Sequence, residues 1–418
     1  MKSWINLKEE IIDKGYCTSC GTCIGICPEN VIYFDGEKIR GNAESCIDCG
    51  LCMKVCSGKS FDFKKFNKEL FNVNYEDINM DLGYYNDIYR GYSNNSLIRR
   101  NGASGGIVTS ILVYLLENKI IDGAITISKV ENLPYKFDVK ISVTIDEIIK
   151  SSQSKYVLIP TNKIIKQLKQ LKGKYAYVGL PCQIQGMRKL KKICPELTSK
   201  ICIYIGLFCG FNMYFEGTEF LLKKMGIKKD NIKKLEYRAK ENITGFRVIT
   251  KSDKKYFVDK DSYNYLNILY SPKRCWLCYD LTSEFADISI GDAWEKNGKG
   301  WSRVIVRTAK GKKIIDKVLL NENVYLEKSE ENDIYTTQKQ LLKYKKKWFW
   351  LRTKLMANIP DYNLSLKKLS LCENFIAFLL YLCLLIGKNK ILRSLIYIIP
   401  IKYINRISKT MCQGLKKV

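Results

Sequence analysis

The sequence of 418 residues contains no histidine. That absence excludes an imidazole general base, a histidine-paired nucleophile, a mixed Cys/His zinc site, a Rieske centre and a histidine-ligated haem. Acidic residues are few beside basic ones, 42 against 70, which gives a formal net charge of +28. The first residues lack an apolar segment of signal-peptide length, so we expect the chain to stay in a reducing cytoplasm, where disulfides are rare.

Cysteine, in contrast, is abundant: the chain has 17, and eight of them fall within residues 17–56. The eight form two runs of the pattern C-x2-C-x2-C-x3-C, which is typical of bacterial ferredoxins and whose fourth cysteine ligates the other cluster. Two four-thiolate zinc sites are the alternative, but zinc knuckles are usually separated by a longer loop. We therefore predict two [4Fe–4S] clusters, one held by Cys17, Cys20, Cys23 and Cys56 and the other by Cys46, Cys49, Cys52 and Cys27.

The remaining sequence predicts a second kind of domain. Between the cysteine runs, residues 31–34 and 38–40 indicate a short hairpin that turns at Asp35 and Gly36. Past residue 90, apolar segments alternate between helical and strand character. Helices are predicted over 107–116 and from 183 towards 192, and strands over 123–127, 175–178 and 201–208. This alternation favours an α/β domain with a substantial core.

One glycine-rich turn of the sequence is a candidate phosphate-binding motif. No G-x-G-x-x-G follows a strand, so the sequence does not support a Rossmann nicotinamide site. The turn over residues 102–106, with Ser104 among its glycines, precedes a helix, and free backbone N–H groups at a helix start attract anions. A flavin or nucleotide phosphate is one interpretation of this turn; a glycine-rich helix start that binds nothing is the other.

Four later cysteines allow a further metal site. Cys182 opens a helix, where a thiol's pKa falls and the thiolate form is favoured. Cys209 follows a strand, and Cys275 and Cys278 form a CxxC pair. Residue types alone leave two possibilities open, a third metal site or buried structural cysteines. The other five are predicted to be buried or incidental thiols: Cys194, Cys202, Cys372, Cys383 and Cys412.

Taken in order, these motifs resemble the coenzyme F420 hydrogenase/dehydrogenase beta-subunit family over about residues 10 to 325. Besides the ferredoxin runs, the segments that carry the resemblance are 101–110, 154–156, 178–185, 206–209, 275–280, 286–294 and 301–307. The resemblance implies an iron–sulfur flavoprotein that passes electrons between its clusters and a flavin, FAD or FMN. In relatives, the flavin exchanges hydride with the deazaflavin coenzyme or another organic substrate.

The resemblance also assigns residues. It implies that Cys182, Cys209, Cys275 and Cys278 hold a third [4Fe–4S] cluster beside the flavin. It places the flavin or its phosphates near Ser104, Gly105, Gly106, Ser154, Lys155, Tyr156, Asp292 and Trp294. No catalytic side chain is predicted, because the cofactor performs the hydride chemistry.

The predicted organisation has four parts. These are a dicluster ferredoxin domain over 1–62, a connecting segment over 63–90, an α/β flavin- and iron–sulfur-binding domain over 91–335, and a basic, apolar helical extension over 336–418. From residue 341 onward there are 16 Lys/Arg and 2 Asp/Glu, and residues 375–386 are continuously apolar. That run of 12 residues falls short of the roughly 18 to 20 that a spanning helix needs.

The extension therefore has three interpretations. Basic and apolar residues together are typical of docking onto an anionic membrane surface, here the inner face, or onto an acidic partner. A helical hairpin packed on the core is the third. Nucleic acid is not expected, because no recognition motif accompanies the charge.

Two functional classes remain. The first is a reductase with its own organic substrate, which the resemblance places in surface-polysaccharide metabolism. The second is an adaptor that delivers electrons to a separate enzyme. The expected partners are an electron-carrier protein such as ferredoxin, or a deazaflavin coenzyme.

Overall fold

The computed structural model describes residues 2–241, 243–294, 300–355 and 360–364, together with five single residues near the C-terminus: Phe378, Leu382, Leu385, Asn389 and Tyr403. Within these ranges the chain is a mixed α/β protein with a ferredoxin-like module at its N-terminus. The predicted fold class is confirmed at that level.

The N-terminal module is built from short elements around apolar side chains. Its two antiparallel strands are β1 (Ile32–Phe34) and β2 (Ile39–Gly41), which form the predicted hairpin. Its helices are α1 (Ser3–Leu7), which continues as a π-helical turn over Lys8–Ile12, α2 (Thr22–Ile26) and α3 (Leu51–Val55). The glycines before α2 and α3, Gly21 and Gly50, have φ of 86° and 74°, a conformation that favours glycine.

Eleven further strands form two sheets in the described ranges. They are β3 (Asp87–Ser93), β4 (Gly123–Val130), β5 (Leu133–Ser142), β6 (Tyr175–Gly179), β7 (Ile201–Leu207), β8 (Ile232–Lys240), β9 (Thr244–Thr250), β10 (Lys255–Asp259), β11 (Ile288–Asp292), β12 (Ser302–Val306) and β13 (Val324–Lys328). Strands β8, β9 and β10 form a small antiparallel sheet. The other eight form one sheet in the order β13-β3-β12-β11-β7-β6-β4-β5.

The centre of the large sheet is parallel. Strands β11, β7, β6 and β4 run in the same direction, whereas the outer strands pair antiparallel. The main core lies against this sheet and includes Ile111, Leu115, Ile203 and Val304, all fully buried. Ligands of open α/β sheets bind outside the carboxyl ends of the parallel strands, so that edge is where a site is expected.

Helices connect and cover the strands. They are α4 (Phe63–Phe71), α5 (Ser96–Asn101), α6 (Ile107–Glu117), α7 (Ile145–Lys150), α8 (Ile165–Leu168), α9 (Pro181–Ile193), α10 (Pro195–Thr198), α11 (Glu216–Lys224), α12 (Lys260–Tyr263), α13 (Leu266–Leu269), α14 (Lys273–Trp276), α15 (Ala309–Leu320), α16 (Glu331–Leu342) and α17 (Phe349–Leu355). Short 3-10 turns occupy Tyr75–Asp77, Thr161–Ile164 and Lys229–Asn231, and a π-helical turn occupies Lys343–Lys347. The strands and helices predicted from sequence appear here with ends shifted by a few residues.

The segment over 63–90, predicted only as a connection, contains helix α4. Asp62 caps this helix by accepting a hydrogen bond from the Lys65 N–H at 2.8 Å. Phe63 and Phe66 bury its apolar face against Phe285, with ring centroids 5.0 and 6.3 Å away. The apolar residues at 63, 66, 70 and 71 have the spacing of an amphipathic helix, so the signal was present and was missed.

The C-terminal segment enters the core before the chain leaves the described ranges. The predicted boundary between 335 and 336 falls inside α16, which is one continuous helix. Tyr362 is 2% exposed and packs on Phe63, with ring centroids 4.9 Å apart. The apolar run over 375–386 lies outside the described residues, apart from three single positions. In the part of the chain that is described, no helix is long and apolar enough to cross a membrane.

Candidate iron–sulfur and cofactor site

The thiols of the first predicted set, Cys17, Cys20, Cys23 and Cys56, lie together. Burial raises the pKa of Cys17 to about 12, and the Cys56 and Cys20 thiols add to the rise. Burial also raises the pKa of Cys23, and its three partners in the set add to it. Such buried neutral thiols lose their protons when they bind metal.

The second predicted set is also brought together, nearer the surface. Burial raises the pKa of Cys52 to about 12, and the neighbouring Cys49, Cys27 and Cys46 thiols add to that rise. Cys49 is exposed, whereas Cys27 and Cys52 are buried. One edge of this set therefore reaches the protein surface.

Backbone N–H groups point at the sulfur atoms. The Ser19 N–H donates to Cys17 Sγ at 3.4 Å, and the Gly58 N–H donates to Cys56 Sγ at 3.3 Å. Hydrogen bonds to cluster sulfurs are one of the means by which proteins set a cluster's potential. Four thiols with amide donors fit a [4Fe–4S] cluster, which takes one thiolate at each of four corners. Among the described residues, no three Cys, Asp or Glu side chains are grouped so as to hold a single metal ion.

The third set assembles at the carboxyl edge of the large sheet. Cys182 is the second residue of α9, just after β6, and Cys209 follows the parallel neighbour β7. Cys275 lies on α14, and Cys278 lies just beyond it. Burial raises the pKa of Cys182, and the thiols of Cys20, Cys209, Cys275 and Cys278 add to the rise. The structure therefore brings together four cysteines that are far apart in sequence.

The three sets form a row. The Cys52 thiol of the second set contributes to the raised pKa of Cys23 in the first, so these two sets are neighbours. The Cys20 thiol of the first set likewise contributes to the raised pKa of Cys182 in the third, so these two sets are also neighbours. The exposed second set is thus at one end, the first set is in the middle, and the third set is innermost.

Buried cations surround the third set. Lys345 is 1% exposed, and its Nζ donates to the Asp280 carbonyl oxygen at 3.1 Å. Burial acts to lower the pKa of Lys345, but the Cys278 thiol and its neighbours outweigh burial and raise it. Arg352 Nη2 donates to the Cys278 carbonyl at 3.4 Å. Arg274, also 1% exposed, donates from Nε to the Gly58 carbonyl at 2.8 Å and so ties this site to the ferredoxin module.

A cavity of about 1180 Å³ opens on the far side of the third set. Five residues besides Cys209 line both the cavity and the space between the four thiols: Ile159, Leu180, Gln183, Gly210 and Asn212. Seven of the eight residues that the family resemblance assigns to a flavin line this cavity: Ser104, Gly106, Ser154, Lys155, Tyr156, Asp292 and Trp294.

The eighth, Gly105, lies behind the cavity wall. Its N–H already donates to Ser302 Oγ at 3.0 Å. A Cβ at this position would approach the Gly91 carbonyl oxygen to 2.6 Å. Glycine is therefore required at Gly105 for close packing against the sheet, which is a structural reason independent of any ligand.

A buried charge cluster forms one wall of the cavity. Arg238 Nη1 donates to Asp292 Oδ2 at 2.8 Å and to the Tyr156 hydroxyl at 3.1 Å. Burial acts to raise the pKa of Asp292, but Arg238 and Lys260 outweigh it and hold the pKa below its ordinary value. Lys260 Nζ stands 3.8 Å from the centroid of the Trp294 ring, a cation–π contact.

Two buried polar atoms at this cavity have no hydrogen-bond partner within the described structure, Arg238 Nε and Asn267 Oδ1. Buried polar groups are nearly always paired, so each such atom is a place where a ligand would be met. The cavity is lined by five basic residues, namely Lys155, Arg238, Lys260, Lys339 and Lys343, and two acidic ones, Asp261 and Asp292. This excess of positive charge fits an anionic cofactor such as a flavin nucleotide.

Sequence reasoning missed Arg238, Lys260 and Lys345. Arg238 lies between two apolar residues of β8. A basic residue in such a position indicates a buried charge, so it could have been recognised as a candidate site residue. Lys345 belongs to a run of lysines that is typical of a solvated surface, so no local pattern distinguishes it. Of the incidental thiols, Cys194 and Cys202 are partly buried, and Cys372, Cys383 and Cys412 lie outside the described residues.

The fold and the site together define an iron–sulfur oxidoreductase in which a ferredoxin module is joined to an α/β domain. Three family models match the chain. They are a 4Fe-4S dicluster domain over 9–57, and the N-terminal and C-terminal parts of the coenzyme F420 hydrogenase/dehydrogenase beta subunit over 88–166 and 172–332. The chain belongs to the coenzyme F420 hydrogenase/dehydrogenase beta-subunit family.

Individual relatives agree with this assignment. The coenzyme F420-dependent sulfite reductase of Methanocaldococcus jannaschii is 30% identical over 77% of this chain, which spans about half of that protein, 49%. The coenzyme F420 hydrogenase subunit beta of Methanococcus voltae is 29% identical over 57% of this chain and 83% of its own length. A chain of the F420-reducing [NiFe] hydrogenase complex from Methanosarcina barkeri shares the fold with a TM-score of 0.54 at 24% identity, covering 66% of this chain and 93% of that one.

Proposed function

We propose that this protein is an iron–sulfur flavoprotein oxidoreductase. In this proposal, three [4Fe–4S] clusters pass electrons to or from a flavin, FAD or FMN, bound in the large cavity. The flavin exchanges hydride with a deazaflavin coenzyme or another organic substrate. Three relatives named for coenzyme F420 support the deazaflavin as the first substrate to test.

One observation carries the proposal: the innermost thiol set and the cavity share a wall. Cys209 lines both, and so do Gln183 and Asn212. Gln183 is held by hydrogen bonds from its Nε2 to Thr161 Oγ1 at 2.8 Å and to the Ile159 carbonyl at 3.2 Å. A cluster on the thiols and a cofactor in the cavity would therefore be separated by a single, well-ordered layer of side chains.

The chain's own residues provide binding and electrostatics. A bound flavin supplies the conversion between a two-electron hydride and single electrons. Arg238 and Lys260 are placed to hold its anionic part, and Asn267 offers a buried acceptor. Helix α16 also lines the cavity and is joined to the charge cluster, because Gln338 Nε2 donates to the Asp292 carbonyl oxygen at 2.9 Å. Because the cofactor carries the hydride, a chain without histidine can serve this reaction.

The test is the amount of iron, sulfide and extractable flavin per chain after anaerobic purification. We expect about twelve irons and one flavin, from four irons in each of three clusters. The Cys209→Ser variant is the matched control and should retain about eight irons. About eight irons and no flavin in the wild-type protein would contradict the proposal and leave only the ferredoxin module.

An electron-transfer adaptor is the second candidate, and the surface of the second thiol set favours it. Cys49 is exposed, and Ile47 beside it is 60% exposed, so a protein partner can approach this set closely. Relatives named as hydrogenase subunits also work with partner proteins. Reduced protein should be mixed anaerobically with oxidised deazaflavin coenzyme and, separately, with oxidised ferredoxin. Reduction of the coenzyme supports the oxidoreductase function. Electron transfer to ferredoxin alone supports the adaptor function.

Two finer expectations belong to the same proposal. A saccharide or lipid-linked saccharide substrate follows only from the family resemblance, and deazaflavin turnover without any saccharide would contradict it.

Cytoplasmic placement with peripheral contact to the inner membrane face is tested by fractionation. We expect deletion of the residues after Asn363 to release the protein from membranes and to leave its iron content unchanged.

A further inference from the structure

We propose that Lys345 is the counter-charge of the third [4Fe–4S] cluster and sets that cluster's reduction potential. The inference rests on the proposed function, since it requires a cluster on Cys182, Cys209, Cys275 and Cys278. Lys345 lies in the π-helical turn Lys343–Lys347, beyond the end of the family match at residue 332. It is therefore a feature of this chain that the family models do not contain.

The first argument is the burial of an unpaired ammonium. Lys345 is 1% exposed, and in the described part of the chain no carboxylate forms an ion pair with it. Its neighbour Lys346 is also buried but is paired with Glu284. A buried charge without a partner of opposite sign is strongly destabilising. Some negative group must therefore balance Lys345.

The second argument identifies that group. Lys345 lines the space between the four cysteines of the third set. Its Nζ is fixed there by a hydrogen bond to the Asp280 carbonyl at 3.1 Å, two residues beyond Cys278. Four thiolates on an iron–sulfur cluster carry net negative charge, and they are the nearest candidates for compensation. No carboxylate forms an ion pair with Lys345 in the described residues, so we assign the cluster as its counter-charge.

The third argument concerns the direction of the effect. Reduction adds one negative charge to a cluster, so a fixed positive charge nearby stabilises the reduced state more than the oxidised state. Net charge and hydrogen bonding around a cluster are established means of setting its potential. Burial away from water acts in the opposite direction, because it disfavours the more highly charged reduced state. Lys345 offsets that effect and keeps the innermost cluster reducible.

The test is a redox titration of the full-length protein, followed by electron paramagnetic resonance, with iron content measured in parallel. The Cys209→Ser variant identifies the signal of the third cluster by its loss. We expect Lys345→Met to retain about twelve irons and to lower the potential of that signal by about 59 mV or more, tenfold in the ratio of reduced to oxidised cluster. Lys345→Arg keeps the charge and should titrate close to wild type.

Lys189 provides a matched control near a different cluster. Its Nζ donates to the carbonyl oxygens of Cys56 at 2.5 Å and Ser60 at 3.3 Å, beside the first thiol set. Lys189→Met should therefore leave the third cluster's potential unchanged. A similar shift of that potential in Lys189→Met would show that any lost charge has the same effect, and it would overturn the specific assignment to Lys345.

The remaining outcomes separate this inference from the proposed function. An unchanged third potential in a Lys345→Met protein with about twelve irons overturns the inference alone. If Lys345→Met loses about four irons while Lys345→Arg retains them, the counter-charge is required for assembly and the inference is supported. If both variants lose the cluster, charge is not the determinant and the inference fails. About eight irons in the wild-type protein would refute the proposed function itself.

Discussion

The ion pair between Lys346 and Glu284 allows a quantitative prediction about how the C-terminal segment is held to the core. Both side chains are 2% exposed. Lys346 Nζ also donates to the Met80 carbonyl at 2.8 Å and lies 3.8 Å from the centroid of the Tyr279 ring. The other carboxylate oxygen of Glu284 accepts a hydrogen bond from the Tyr75 hydroxyl at 2.9 Å. Every polar atom of the pair thus has a partner inside the protein.

Replacing Lys346 by Met removes the cation and leaves the carboxylate buried. Breaking one side of a buried pair costs about 3–5 kcal/mol of the free energy of unfolding. Part of that cost is relieved at low pH. Burial already raises the pKa of Glu284 to about 7 against the opposing charge of Lys346, and losing that charge raises the pKa further.

The sign of the pH dependence follows. A carboxyl group with a raised pKa in the folded state contributes stability that is fully present below its unfolded pKa, and that contribution is lost as pH rises through the folded value. The gap in stability between Lys346→Met and wild type should therefore be largest near pH 8 and should narrow towards about pH 5. The double variant Glu284→Gln with Lys346→Met removes both charges of the pair and should recover most of the loss.

The measurement is urea unfolding of anaerobically purified protein, followed by tryptophan fluorescence at several pH values. Iron content before unfolding establishes that all variants start with the same cofactors. If the single variant loses less than about 1 kcal/mol of the free energy of unfolding, as is typical of an exposed ion pair, the pair does not hold the C-terminal segment to the core. Equal stability of the single and double variants at pH 8 would refute that role as well.

Three other predictions concern the cavity and the third thiol set. Cys209→Ser should lower the iron content by about four per chain and retain the signals of the two ferredoxin clusters, measured by iron assay and electron paramagnetic resonance. Arg238→Met should weaken flavin binding by roughly tenfold or more, as expected for a lost charged hydrogen bond, with Arg238→Lys intermediate in a fluorescence titration. Burial lowers the pKa of Lys155 to about 7, and its ammonium donates to the carbonyl oxygens of Ser151, Ser152 (2.6 Å) and Gln153 (2.9 Å). Because these bonds use all three of its protons, Lys155 supports flavin binding by holding this loop of the cavity wall, and that support is lost as pH rises. Flavin affinity should fall between about pH 6 and 9 in wild type and be weak and independent of pH in Lys155→Met.

The parts of the structure that could be predicted from sequence are those encoded locally. The two cysteine runs have a fixed spacing, and the structure groups their thiols in the crossed arrangement that the spacing predicts. Helices and strands such as Ile107–Glu117 and Ile201–Leu207 were recognisable because their apolar residues repeat over several turns or pleats. Helix α4 has the same kind of local signal, with apolar residues at 63, 66, 70 and 71, and could have been predicted as well.

The parts that could not be predicted depend on contacts between distant segments. Strand order decides that Cys182 and Cys209 emerge side by side, because β6 and β7 are parallel neighbours. Spacing in the sequence contains no information about that pairing. Residue types therefore left the third set as one of two possibilities, and only the family resemblance assigned it. Arg238 was missed for a similar reason: its partner Asp292 lies on another sheet, and nothing in the sequence indicates that the two are in contact. Gly105, in turn, was assigned to the flavin, whereas its position behind the wall is explained by packing.

The structure places some of the chain's excess basic residues in the interior rather than on the surface. Lysines over 343–347 are typical of a solvated tail, yet Lys345 and Lys346 are both buried. Arg274 and Arg352 are buried beside the thiols of the third set, as Lys345 is. Part of the excess of basic residues therefore belongs to the interior. If the proposed third cluster is bound there, these cations would balance negative charge that water cannot solvate.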